Sequence, residues 1–317
     1  MKKLTQTNIR LLKKLLLIRK VEEKISNIYF TDKIKSPIHL SIGQEAASVV
    51  VCDLLTKNDV VFGTYRGHAL YLAKNGNLNK MIAELFGKIT GCARGKGGSM
   101  HLVDKKVNMM ATSAIVASSI PEAVGYAFAL KYEKKKEIVV CFFGDGATNQ
   151  GVFHESLNYA SLYKLPILFV CENNDLAIHS RVKDRSAQIN LTEFAKVNKI
   201  SSKSFYDYDY FTIQKKLKKI IFNMRNKNKP YFIEIKTNRH YSHVGPDTDW
   251  DLGYRNFNHE KKNINKDPIN LIKKTLSKNQ INKIQSHVNL TLKKAFEFAE
   301  KSKFPNKNEI KKNIFNE

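Results

Sequence analysis

Two short stretches carry the residues best suited to chemistry. Gly144-Asp145-Gly146 sets one carboxylate between two glycines, and Glu172-Asn173-Asn174 follows one crossover's length downstream. A bound diphosphate needs a divalent cation, and Mg2+ takes a near-octahedral set of oxygens of which a protein supplies only a few. Asp145 offers a carboxylate oxygen, Asn174 a side-chain amide oxygen, and a backbone carbonyl just beyond it a third. The flanking glycines let backbone N–H groups approach phosphate oxygens. A helix starting near Asn149 would point its N-terminus at the same anion. Taken singly, a Gly-Asp-Gly turn and an Asn-Asn loop are ordinary connections, so their meaning depends on the elements between them.

Those elements read as one βαβ unit. Ile138 to Phe143 is an apolar run of strand length, rich in β-branched and aromatic residues, and the glycines break it. A helix-period segment follows, with Val152, Leu157, Ala160 and Leu162 spaced for one buried face. Pro166 ends it, and Ile167 to Cys171 forms a second strand. Polar residues therefore stand at the carboxyl ends of both strands, where open α/β sheets bind ligands.

The rest of the chain is arranged around this unit. Residues 5–30 read as an amphipathic helix, with Glu22 interrupting a stripe of Leu11, Leu15, Ile18 and Ile25. Ile38 to Ala46 leads into a helix through Leu55, and His39, alone among apolar residues, reads first as a satisfied core histidine. Val60-Val61-Phe62 runs into Thr64-Tyr65-Arg66-Gly67-His68, which is either an exposed turn or a grip for an anionic or aromatic ligand. Gly95-Lys96-Gly97-Gly98-Ser99-Met100-His101 lacks the spacing of a phosphate loop and reads as a flexible loop able to approach a ligand or partner. Ala114 to Ala117 precedes a helix from Ser118, with Pro121 in its first turn. Residues 175–200, with Arg181, Lys183 and Arg185, show no strong period and read as a long loop able to move. Tyr231 to Lys236 is a further strand. Asp247, Asp249 and Asp251 alternate like a calcium loop, but Leu252 stands where that loop needs glycine, which excludes it. From about residue 263 the chain is Lys- and Asn-rich, with helical spacing at Leu290, Lys294, Phe298 and Lys301.

Composition narrows the function classes. With 317 residues, 42% of them hydrophobic, the chain can bury the core of one large domain. The formal net charge of +25 is spread along the chain without an aromatic-and-basic RNA signature, so scattered surface charge is a simpler reading than nucleic-acid binding. Cys52, Cys92, Cys141 and Cys171 form no CxxC pair, which fits a reducing, cytoplasmic setting. Leu15 to Ile18, bracketed by basic residues, is too short for a signal segment, and no apolar run would span a bilayer.

The Gly-Asp-Gly to Asn-Asn unit resembles the thiamine diphosphate signature. With HLSIGQEA at 39–46, TYRGH at 64–68, GKGGSMH at 95–101 and LPILFVCENN at 165–174, residues 10–255 resemble the alpha subunit of the first component of 2-oxo acid dehydrogenases, of the pyruvate, branched-chain and acetoin type. The resemblance implies an α/β fold with a doubly wound, mostly parallel sheet. One thiamine diphosphate-binding domain would span 1–317, with its core at 35–255, an N-terminal helix at 1–30 and a helical tail from 263. It implies oxidative decarboxylation of a 2-oxo acid, or acetoin cleavage, with transfer to a lipoyl group on an acyltransferase. The cofactors would be thiamine diphosphate and Mg2+. A beta subunit would complete an α2β2 tetramer and supply the glutamate that activates the cofactor.

Residue by residue, it places Asp145, Asn174 and the Leu176 carbonyl on Mg2+, with Gly144, Gly146 and Ala147 along the diphosphate. Tyr65 and Arg66 would contact the cofactor, Arg66 and Arg239 near its phosphates, and the Val116 backbone the aminopyrimidine. His243 would be the active-site histidine, with a pKa near neutral, and His39 and His68 would lie at the same mouth. The chain departs from the family pattern at Ala117, where glycine is usual, and at Ser242 and Val244, which flank His243 where Gly and Ser are usual. The competing readings are the diphosphate half of a split transketolase-like or specialised biosynthetic enzyme, and a basic polyanion-binding protein.

Overall fold

The computed structural model describes residues 2–255 and 266–312. In chain order the elements are α1 (Lys2–Ile28), α2 (Glu45–Cys52), β1 (Val60–Thr64), α3 (His68–Ala73), α4 (Leu78–Leu85), β2 (Met109–Ser113), α5 (Ser119–Tyr132) and β3 (Val139–Gly144). Then follow α6 (Gly151–Leu162), β4 (Ile167–Asn173), a small hairpin of β5 (Leu176–Ala177) and β6 (Ser180–Arg181), α7 (Val182–Arg185) and α8 (Thr192–Val197). The chain continues through β7 (Ser201–Tyr206), α9 (Tyr210–Lys227), β8 (Tyr231–Lys236), α10 (Pro268–Lys273) and α11 (Lys278–Lys301).

Six strands form one sheet in the order β2-β1-β3-β4-β8-β7, and every neighbouring pair is parallel. Side chains alternate between its faces. Val61, Val140, Phe142, Leu168 and Ile233 join the core that includes α1, α2 and α9. Val139, Cys141, Phe143, Phe169 and Phe232 join the core with α5, α6 and α8. Strands covered on both faces read as continuous apolar runs, which is why β3 and β4 were legible in the sequence. The doubly wound α/β class holds. Winding runs outward in opposite directions from β1 and β3, and the crevice between their carboxyl ends is the place such sheets keep for ligands.

Several local expectations change. On α6 the buried residues are Phe153, Ser156, Leu157 and Ala160, whereas Leu162 is 68% exposed, so the inward face centres on Phe153. On α11 the stripe turned inward is Ile284, Val288, Ala295 and Ala299, packed against α1 and α4, and Leu290 and Phe298 face solvent. Its start is fixed by a capping box, with Ser277 and Gln280 satisfying each other's backbone N–H. Residues 263–265 and 313–317 of the expected tail lie outside the described residues. The passage 175–200 is not an open loop but carries β5, β6, α7 and α8. β7, a mostly polar edge strand with only Phe205 buried, left no hydrophobic trace to read.

The glycine-rich loop is held from within. Glu84, fully buried on α4, accepts hydrogen bonds from the N–H groups of Ala93 (2.7 Å), Gly95 (3.0 Å), Gly97 (2.7 Å) and Gly98 (3.2 Å). Gly95 and Gly98 take φ of +81° and +58°, so their freedom serves this wrap around an internal anion rather than an external one. Glu84→Ala leaves these donors without their partner. We expect it to lower unfolding free energy by at least about 3 kcal/mol in urea titration, with Glu84→Gln intermediate.

Candidate active site at the carboxyl edge of the sheet

A cavity of about 370 Å³ opens at the switch point. Its walls come from the end of β1 (Thr64, Tyr65, Arg66), the turn after β3 (Gly144 to Ala147), the end of β4 (Glu172, Asn174) and the hairpin residues Leu176 to Ile178. Ala114 to Ala117, His39, Gln44, Met100 and His243 complete it. The parallel register that sets Gly144 opposite Glu172 brings the two motifs together.

One half suits a cation. Asp145 is 1% exposed, and burial raises its pKa to about 6 against the opposing pull of Arg185. Arg185 pairs with the Asp145 carboxylate and also donates to its backbone oxygen at 3.2 Å. The Asn174 amide is oriented by two bonds: its nitrogen donates to Gln44 Oε1 at 2.8 Å, and its oxygen accepts the Leu176 N–H at 3.0 Å. A Cβ on Gly146 would sit 2.9 Å from that of Ala177, so glycine there allows the hairpin to lie against the turn. Among the described residues no group of three or more His, Cys, Asp and Glu could cage a metal with side chains alone. One carboxylate with amide and carbonyl oxygens is a donor set suited to Mg2+.

The other half suits an anion. The half-buried Arg66 guanidinium donates only to the carbonyls of Leu40 (2.5 Å) and His243 (3.1 Å), and among the described residues it has no carboxylate in ion-pair reach. Burial, then the nearby charge of Arg239, lowers its pKa to about 10. Gln44 Nε2 is buried without a partner. A Cβ on Gly144 would meet nothing within 4 Å, so that position borders open space. An unpaired guanidinium, an orphaned amide donor and an uncovered glycine fit a diphosphate beside the metal donors.

The histidines divide. The rings of His39 and His243 meet edge to face at 5.2 Å, and both contact Tyr65, at 4.5 and 5.6 Å. Burial, then the charge of Arg66, pushes each pKa down to about 3. This corrects the near-neutral value expected for His243: both are neutral imidazoles at physiological pH. His68 is not at the mouth. It is fully buried, Nδ1 at 3.1 Å from Glu22 and Nε2 at 2.8 Å from Ser99, joining α1 to the glycine-rich loop. Glu22 also accepts the Ser41 N–H at 3.1 Å, which accounts for a carboxylate in the apolar stripe of α1.

Arg239 does not line the cavity. It donates to Asp249 (3.0 Å), Tyr241 O (3.0 Å) and Ile178 O (3.2 Å), and Arg255 pairs with the same Asp249. The alternating aspartates thus give one buried clamp behind the His243 loop. Ala117 takes φ of +68°, the left-handed conformation that the usual glycine would adopt without cost. Val116 lines the cavity and is 44% exposed. The motif spacing singles out neither Gln44 nor Glu172, yet both line the cavity. Burial raises Glu172 to about 7.

Sheet and site together define a doubly wound α/β protein whose switch-point crevice offers a carboxylate on one side and a guanidinium on the other. The chain belongs to the dehydrogenase E1 component family, whose model matches residues 13–308. It is 34% identical over 307 residues to the alpha subunit of the acetoin:2,6-dichlorophenolindophenol oxidoreductase of Bacillus subtilis, covering 95% of this chain and 91% of that one. It is 36% identical over 314 residues to the pyruvate dehydrogenase E1 component subunit alpha of Porphyra purpurea, covering 95% and 90%. With the same subunit of Rickettsia bellii it shares 32% identity over 313 residues, covering 97% and 95%. It is therefore an oxidoreductase alpha subunit of the thiamine diphosphate-dependent 2-oxo acid dehydrogenase type, and the family implies a beta-subunit partner. Among the described residues no helix is long and apolar enough to cross a membrane.

The two depressed histidines have a consequence for stability. A histidine that binds protons less readily when folded contributes stability that is complete above its unfolded value, near 6.5, and is lost as pH falls from there toward 3. We expect Tm to fall on acidification through that window. The double variant His39→Gln, His243→Gln should lose Tm less steeply in the same scan.

Proposed function

We propose that this chain holds the magnesium and diphosphate end of thiamine diphosphate as the alpha half of an α2β2 enzyme, in a cytoplasmic setting. The substrate is a small 2-oxo acid or acetoin, and the acyl group passes to a lipoyl group on an acyltransferase. One observation carries this reading: the buried Asp145 carboxylate and the unpaired Arg66 guanidinium face one cavity from the strands that flank the switch point. A carboxylate for the metal and a cation for the phosphates are the two charges that a metal diphosphate needs.

When bound, the cofactor supplies stabilisation of the carbanion left as a bond beside a carbonyl breaks. The chain's own residues bind and orient. Asp145, the Asn174 amide oxygen and the Leu176 carbonyl hold the metal, while Gly144, Gly146 and Ala147 leave backbone room for the diphosphate. Arg66 neutralises it, Tyr65 packs beside it, and Val116 offers its backbone to the aminopyrimidine. The neutral His243 offers a ring nitrogen as a hydrogen-bond partner at the reacting end, with His39 against its edge. His68 acts through the loops it joins, and Arg239 through the clamp with Asp249. Glu172 stands beside Gly144 in the sheet register, at the diphosphate end, so the glutamate that activates the cofactor is left to the beta chain.

Two measurements test this. The pure chain with thiamine diphosphate, Mg2+ and a panel of 2-oxo acids should show no turnover, and addition of its beta subunit should restore it; robust decarboxylation by the chain alone would overturn the division of labour. In calorimetry Asp145→Ala should abolish Mg2+-dependent thiamine diphosphate binding, whereas His243→Ala should leave it intact. Unchanged affinity in Asp145→Ala would refute the metal assignment.

A further inference from the structure

Arg185 has no part in the function proposed above, yet it makes the closest contacts to the metal-ligand carboxylate. It ends α7, and its side chain is 13% exposed. Its guanidinium reaches back to the turn after β3, pairing with Asp145 Oδ2, donating to Asp145 O at 3.2 Å and to the side-chain oxygen of Asn149. Asn149 Nδ2 returns a bond to the Arg185 carbonyl at 3.2 Å, so α7 and the turn are joined in both directions. Arg185 Nε is buried with no partner.

We infer that Arg185 is the resident counter-ion of Asp145: it compensates the carboxylate while the metal is away, and the metal binds in competition with it. The inference rests on the reading of Asp145 as a metal ligand. A carboxylate that is 1% exposed stays ionised only beside a compensating charge. Arg185 is the one cation in ion-pair reach of it among the described residues. A divalent ion drawing on the same carboxylate meets a guanidinium already seated there, and the two cations repel. The β5–β6 hairpin, which runs directly into the α7 that Arg185 ties to the turn, is also under strain. Asp175 and Ile178 take φ of +66° and +56°, and a β-branched residue in the left-handed region is a costly arrangement. Leu176, Ala177 and Ile178 form the cavity wall there. Release of Arg185 by the metal frees that wall to settle around the diphosphate, so one side chain couples charge at Asp145 to the shape of the crevice.

The test uses the full chain, Mn2+ as a paramagnetic stand-in for Mg2+ counted by EPR, and thermal melting. Arg185→Gln should bind Mn2+ alone about tenfold more tightly, the scale expected for removing one nearby charge at a partly screened site. It should also melt lower than wild type when metal-free, and the gap should close once Mg2+ and thiamine diphosphate saturate the protein. Arg185→Lys, which keeps the charge but not the planar fork, should bind Mn2+ with intermediate affinity. It carries the test if Arg185→Gln does not fold, in which case affinity equal to wild type overturns the inference. Unchanged or weaker Mn2+ binding by Arg185→Gln, or a melting gap that persists in the loaded protein, overturns it and leaves Asp145 a ligand. Mn2+ binding by Asp145→Asn as tight as by wild type removes the metal reading and the inference with it.

Discussion

A carboxylate buried at the end of β3 is the constraint that the site's architecture answers. Asp145 lies where two cores and a loop meet, almost out of reach of water, and an isolated charge in such a place is costly. The surroundings compensate it in several ways. Arg185 is paired with it, the hairpin lies close because position 146 has no side chain, and Arg239 adds positive potential. The same fold that tolerates Asp145 leaves its carboxylate and the Arg66 guanidinium facing one crevice.

The loops around the crevice are set by other buried ions, each with its own partner. Glu84 collects the N–H groups of the glycine-rich loop, Glu22 and His68 join α1 to that loop and to Ser41, and Asp249 sits between two arginines behind the His243 loop. Arg66 spans the carbonyls of Leu40 and His243, tying together the two loops that carry the neutral histidines. Arginine suits the tying positions because its fork satisfies several oxygens at once. A site made of loops on a rigid sheet is thus positioned by charged groups that do not themselves line it. His39 and His243, held against Tyr65 beside a guanidinium, are neutral as a result, so they offer ring nitrogens for hydrogen bonding rather than positive charge.

Legibility along the chain followed the range of the interactions concerned. The β3–α6–β4 unit and its two motifs were readable, because doubly covered strands are apolar throughout and the ligand-bearing residues follow them directly. The roles of His68 and Arg239 were not, since Glu22, Ser99 and Asp249 lie on separate segments and nothing local marks them as partners. Arg185 stood in a passage without period and looked like one more surface cation in a chain of net charge +25. The inward faces of α6 and α11 differ from the stripes their spacing suggests for a related reason. Helical spacing defines several candidate stripes, and only packing against the sheet or against α1 and α4 selects one.

By itself, then, the sequence determined the class of fold and the family, both of which rest on local pattern and on motifs contiguous in the chain. Tertiary structure alone decided which polar and charged groups face each other: Arg185 on Asp145, Arg239 on Asp249, His68 on Glu22, and Arg66 on no carboxylate among the described residues. The physical reason is that burial and pairing of charge depend on distances across the fold. A residue's type states only that it carries a charge; whether that charge is spent on holding a loop or left to meet a ligand is settled when the chain closes around it.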